Sequence, residues 1–167
     1  GTITDLTGVE DFISLTSLQA DNMEVTELDV SNNIYLTNLS VHSNNLTELD
    51  VSNNVNLTDL IINDNGISSI DLSNNTLLNK LIISGNNLTS IDLSSNTNLT
   101  NLELGFTGSG QTNQMTSIDL TNNVSLDRIA LGNIGLTSID LSNNVNVKSL
   151  YLTANQLTSL DVSNNSE

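Results

Sequence analysis

The chain has 167 residues and a mass of 17.9 kDa, enough for one domain with a proper core and short for two. Its 3 Lys and Arg against 19 Asp and Glu give a net charge of −16, which excludes nucleic-acid or anionic-membrane binding by phosphate neutralisation, because that needs a basic face. Absence of Cys excludes disulfides, thiolate metal sites and thiol nucleophiles, and a single His excludes a multi-histidine metal centre.

High acidity with 2 % aromatics is also a signature of disorder, but the 37 % of hydrophobic residues fall in strict order. The longest apolar runs are short, as in Leu60-Ile61-Ile62, so no membrane insertion is expected. Residues 1–24 lie outside the repeat and read as an entry segment, with Phe12, Ile13 and Leu15 expected to form a partial cap together with the chain from Ile3. From Val25 a unit of 21 residues recurs: Val25–Asn45, Leu46–Gly66, Ile67–Asn87, then a 27-residue copy at Leu88–Gln114, then Met115–Gly135 and Leu136–Gln156. A broken copy, LTSLDVSNNSE, ends at Glu167, so residues 25–167 read as one array whose last coil is incomplete.

Each unit holds two half-units, LxxLxL plus a polar Asn-containing turn. Leu46, Leu49 and Val51 make one triplet, and Leu57, Leu60 and Ile62 the other. The last two apolar residues of each triplet are two apart, the strand period, and turn residues such as Ser52-Asn53-Asn54 return too soon for an amphipathic helix. The expectation is an all-β solenoid whose coils stack at about 4.8 Å into two short parallel sheets.

The pattern LxxLxLxxNxL, present as Leu36, Leu39, Val41, Asn44, Leu46 and again as Leu78, Leu81, Ile83, Asn86, Leu88, resembles the leucine-rich repeat. The nested LTxLDVSNN half is similar to the bacterial 21-residue class found in secreted or surface proteins, and ITDLTGVEDFISLTSL resembles the entry segment of such domains. The resemblance implies a right-handed solenoid, no catalytic motif, and a recognition or adhesion surface outside the cell. It also implies an internal ladder of Asn44, Asn65, Asn86 and Asn155, interrupted where Met23 and Ile134 occupy the same position.

Alternation puts Leu60 and Ile62 inside and turns Ile61 outward, in a column with Gln19, Ser40, Ile82, Glu103, Ala130 and Tyr151. Ile61, Ile82, Ala130 and Tyr151 are expected to form an exposed, mostly apolar strip. Such strips mark binding sites, although isolated apolar residues on a sheet surface are also common. The long unit inserts residues around 105–112, and its Phe106 is either a contact residue on a protruding loop or a cover for the core. All three basic residues fall in adjacent columns of this sheet, Lys80 and Arg128 in one and Lys148 in the next, where they either receive an acidic partner or offset Asp59 and Asp127.

Asp29, Asp50, Asp71, Asp92, Asp119, Asp140 and Asp161 form a column on the other half-units, each with Ser or Thr two residues later. An Asx-type turn explains them structurally, and calcium binding is the sharper alternative. The Thr column (Thr26, Thr47, Thr89, Thr116, Thr137 and Thr158) resembles that of some ice-binding solenoids, but Ser68 interrupts it and the Asp column flanks it. His42 has Ser40 and Ser43 nearby without a nucleophile–base–orienter set, so no enzyme is expected. The reading is an acidic, secreted or cell-surface adhesion module for a protein or carbohydrate ligand, with no cofactor unless calcium. The alternative is a passive spacer, and the unfinished last coil allows end-to-end self-association.

Overall fold

The computed structural model describes residues 2–105 and 112–165. Seven parallel strands form one sheet in sequence order: β1 Ser17–Gln19, β2 Asn38–Ser40, β3 Asp59–Ile61, β4 Lys80–Ile82, β5 Asn101–Gly105, β6 Arg128–Leu131 and β7 Ser149–Tyr151. Each strand pairs with its equivalent one repeat later, Leu39 with Leu60 and Leu60 with Leu81, so identical positions stack in columns. The inter-coil bonds outrun the assigned strands, from Thr58 N donating to Thr37 O at 2.8 Å to Asp64 N donating to Ser84 O at 2.9 Å.

The inward columns make one continuous core. Leu36, Leu39, Val41 and Leu46 are at most 1 % exposed, and their repeats Leu57, Leu60, Ile62, Ile67 and Leu78, Leu81, Ile83, Leu88 are fully buried. Burying such a side chain stabilises by about 1.5–3 kcal/mol, and every coil repeats the gain, so the stack holds without disulfides.

Two asparagine ladders close the turns. In the first, Asn65 Oδ1 accepts from Leu46 N at 3.0 Å and its Nδ2 donates to Val41 O and Ile62 O. Asn44, Asn86 and Asn155 repeat this arrangement, and Asn113 joins them after the long insertion, with Oδ1 accepting from Leu88 N at 2.9 Å. At Ile134 a backbone carbonyl takes over, accepting from Met115 N at 2.7 Å. The second ladder is Asn33, Asn54, Asn75, Asn96, Asn123, Asn144 and Asn165, six of them at most 1 % exposed. In each later coil Nδ2 reaches two carbonyls of the coil before: Asn75 donates to Val51 O and Asn54 O, both at 3.0 Å.

That second ladder explains a departure from expectation, for the described residues form one sheet rather than two. On the Asp-bearing half the backbone groups are used locally. Ser52 N donates to Asp50 Oδ1 at 2.8 Å, and Val51 O accepts from Asn54 N at 3.0 Å. With those groups committed, neighbouring coils are joined there mainly by Asn side chains instead of a backbone ladder.

The entry segment also departs from expectation. A 3₁₀ turn at Val9–Asp11 follows Gly8 at φ 98°, and Leu6 and Leu15 pack on the core. Phe12 and Ile13 are 65 % and 64 % exposed and do not cap it. Ile13 lies one repeat before Ile34, on a turn rim that later coils also leave to solvent. The first coil is held instead by Asn33 Nδ2, which donates to Val9 O and Phe12 O at 2.9 and 3.0 Å.

Candidate functional site

The outward face of the sheet carries two columns two residues apart. One runs Asp59, Lys80, Asn101, Arg128, and the other Ile61, Ile82, Glu103, Ala130, Tyr151. Period-2 alternation commits the residue between them to the core and turns both columns to the outer side of the sheet.

Arg128 organises the far half of this face. Its Nη1 donates to Glu103 Oε2 at 3.0 Å and to Asn101 Oδ1 at 3.4 Å, and its guanidinium carbon sits 5.0 Å from the centroid of the Tyr151 ring. One side chain on β6 thus ties β5 to β7 across the surface. Planar geometry lets it hydrogen-bond at its edge and stack on its face at once. Tyr151 remains 51 % exposed. Ala130, expected in the exposed strip, is only 2 % exposed, because its methyl group sits in register between the longer Glu103 and Tyr151.

The near half is apolar. Ile61 and Ile82 are adjacent in register and half-buried, with Asp59 beside Lys80 in the next column. Among the described residues no carboxylate pairs with Lys80, whereas Lys148 Nζ lies 3.5 Å from Asp127 on an exposed rim. Phe106 and the rest of the inserted loop at 106–111 lie outside the described residues.

Sequence reasoning missed a polar clasp at the entry end. Asp21, its side chain only 8 % exposed, accepts from Gln19 Nε2 at 2.7 Å, Ser40 Oγ at 2.6 Å and His42 N at 3.1 Å, with His42 Nε2 at 3.5 Å. His42 Nδ1 meets Ser43 Oγ at 3.1 Å. The signal was available, since Asp21 and His42 are one repeat apart and therefore stack. The clasp fixes the side chains that open the face.

Across the solenoid, each Asp of the column accepts the amide two residues on, at 2.8–2.9 Å. The carboxyls are held below their ordinary range by these neighbours. For Asp29, Asp50 and Asp119 the Ser or Thr hydroxyl leads and the amide follows; for Asp71, Asp92, Asp140 and Asp161 the order is reversed. An open depression on this face is lined by Glu27, Asp29, Glu48, Asp50 and Asp71. Among the described residues no group of three or more His, Cys, Asp or Glu is placed to hold a metal ion.

No protein-family model and no curated protein matches the chain. Solved structures do. The functional domain of InlJ from Listeria monocytogenes, which includes a cysteine ladder, matches over 98 % of this chain at 34 % identity and a TM-score of 0.75. Internalin C2 of the same species matches over 98 % at 23 % identity and a TM-score of 0.78, and the Leptospira interrogans leucine-rich-repeat protein LIC12759 over 95 % at 22 % and 0.72. The chain spans 40 % of the InlJ structure, 71 % of internalin C2 and 48 % of LIC12759. It has no Cys, so its own ladders are built from Asn. Among the described residues no helix is long and apolar enough to cross a membrane.

Proposed function

Because the chain belongs to the leucine-rich-repeat family, we propose that it is a recognition module of a secreted or cell-surface protein, and that it binds a protein partner through the outward face of the sheet. The observation that carries this reading is the Glu103–Arg128–Tyr151 cluster, an ordered group of large side chains beside the apolar Ile61–Ile82 pair. Tyr and Arg anchors next to half-exposed aliphatic surface are what interface hot spots are made of. A protein surface offering apolar side chains and a carboxylate for Lys80 fits this face. The inserted loop with Phe106 belongs to the same proposal, as does the absence of any enzymatic role.

A passive spacer is the competing reading. Inward columns repeat Leu and Ile from coil to coil, and a spacer would repeat its outward columns as regularly. Here they change from Ser40 to Ile61, Glu103 and Tyr151. The test is binding of the wild type and a Phe106→Ala/Tyr151→Ala double variant to arrays of cell-surface proteins and glycans. A protein hit lost in the variant, with Tm unchanged, supports the proposal. A hit confined to glycans replaces the partner class, and absence of any hit supports the spacer.

A further inference from the structure

We infer that Asn65 is a latent deamidation site, held shut by the very ladder it belongs to. Asn65-Gly66 is the one Asn–Gly pair in the sequence. Asparagine is among the thermolabile residues, and a following glycine, having no Cβ, leaves its backbone nitrogen unshielded. In the reaction Gly66 N bonds to Asn65 Cγ, the Cγ–Nδ2 bond breaks, and Nδ2 leaves as ammonia carrying the Gly66 proton. Water then opens the cyclic imide at one of its two C–N bonds, giving Asp or isoaspartate.

Solvent is at hand. Asn65 and Gly66 line an open pocket of about 380 Å³ together with Asn44, Asn45, Asp64 and Gly85. Geometry is what withholds the reaction. Gly66 N, the nucleophile, donates to Leu46 O at 2.7 Å. The amide under attack is pinned from both ends: Oδ1 accepts from Leu46 N at 3.0 Å, and Nδ2 donates to Val41 O, Ile62 O and Asn63 O at 3.1–3.3 Å. All five bonds are made by Asn65 and Gly66, three of them to the coil before, so they release together when this turn opens locally.

Closure afterwards is blocked. An Asp carboxylate at position 65 turns oxygen instead of N–H toward the carbonyls of Val41 and Ile62, and isoaspartate adds a backbone methylene that breaks the 21-residue register. A transient opening thereby becomes a permanent defect in one coil.

The test incubates the full chain at mildly alkaline pH, folded and in guanidinium, and maps deamidation by peptide mass and isoaspartate content. In denaturant Asn65 should lose its amide before any other asparagine. In the folded chain it should do so at least about a hundredfold more slowly, following the fraction of time the turn is open. Gly66→Ala, whose Cβ would lie 3.3 Å from Leu46 O and 3.5 Å from Thr47 Cγ2, requires that carbonyl to give by a few tenths of an ångström when folded, and should slow the denatured-state loss several-fold. Chains already converted should refold with a lowered Tm. Folded and denatured chains reacting at one rate, another asparagine leading in denaturant, or converted chains melting with the wild type would each overturn the inference.

Discussion

The guanidinium of Arg128 lies 5.0 Å from the ring centroid of Tyr151, one coil further on, while its Nη1 donates to Glu103 one coil back. Three coils are thus linked on the outward face by contacts that the core does not need.

Removing that link should therefore cost little stability. The pair is 37 % and 19 % exposed at Arg128 and Glu103, where ion pairs contribute about 0.2–1 kcal/mol and a cation–π contact about 0.5–1 kcal/mol. Arg128→Ala should lower unfolding free energy by about 1–2 kcal/mol in urea titration while weakening partner binding about tenfold or more. Arg128→Lys should recover charge but not stacking, and so restore only part of the affinity. A collapse of Tm in either variant would mean the cluster is structural.

The second ladder should be more sensitive, above all to a buried charge. Asn75→Ala removes both inter-coil donors, although Val51 O keeps Asn54 N and Asn54 O keeps Leu57 N, so a loss of about 1–3 kcal/mol is expected. Asn75→Asp should cost more, about 3–5 kcal/mol, because a fully buried carboxylate would face the same two carbonyls unpaired. Equal Tm losses for the two variants would contradict the donor role.

Acidification sets two effects of the Asp column against each other. Hydrogen bonds hold the folded carboxyls below their unfolded values, so their stabilisation is present above the unfolded pKa and is lost as pH falls through the folded ones, from about pH 4 downward. Protonation also relieves repulsion within a chain of charge −16. The hydrogen bonds outweigh repulsion from neighbouring carboxylates at Asp50, Asp71, Asp92 and Asp140, so Tm should fall below pH 4. A Tm that rises on acidification would show that repulsion dominates, and added salt would then raise Tm at neutral pH.

One turn position is left-handed from coil to coil: Asn22, Ser43, Asp64, Gly85, Asn133 and Ala154 all have φ between 54° and 66°. Ala154 is the poorest fit, lacking a side chain that bonds locally. Ala154→Gly should raise stability by about 0.5–1 kcal/mol in thermal melts. Gly85→Ala should do the reverse, since its Cβ would run into the Asp64 carboxylate. Stabilisation by Gly85→Ala would refute the strain argument.

The shape of the coil follows from the residue pattern alone. A period of 21, two apolar triplets and Asn at the turns dictate which side chains face inward, and those columns are the core found here. It also supplied the outward residues, because alternation across a strand needs no tertiary information. Stacking at one repeat further predicts pairs such as Asp21 with His42, and the third residue of SNN, SSN and TNN is Asn in all seven turns although the second becomes Ser95. Tertiary structure decided how those backbone groups were used. Both half-units share the strand period, but Asp50 and Asn54 capture the N–H and carbonyl that a second sheet would require, so a ladder of side chains replaces it. It also decided the candidate site: Arg128 bridges residues 25 positions before it and 23 after it, and only the spacing of the folded coils brings Glu103 and Tyr151 within reach of one guanidinium.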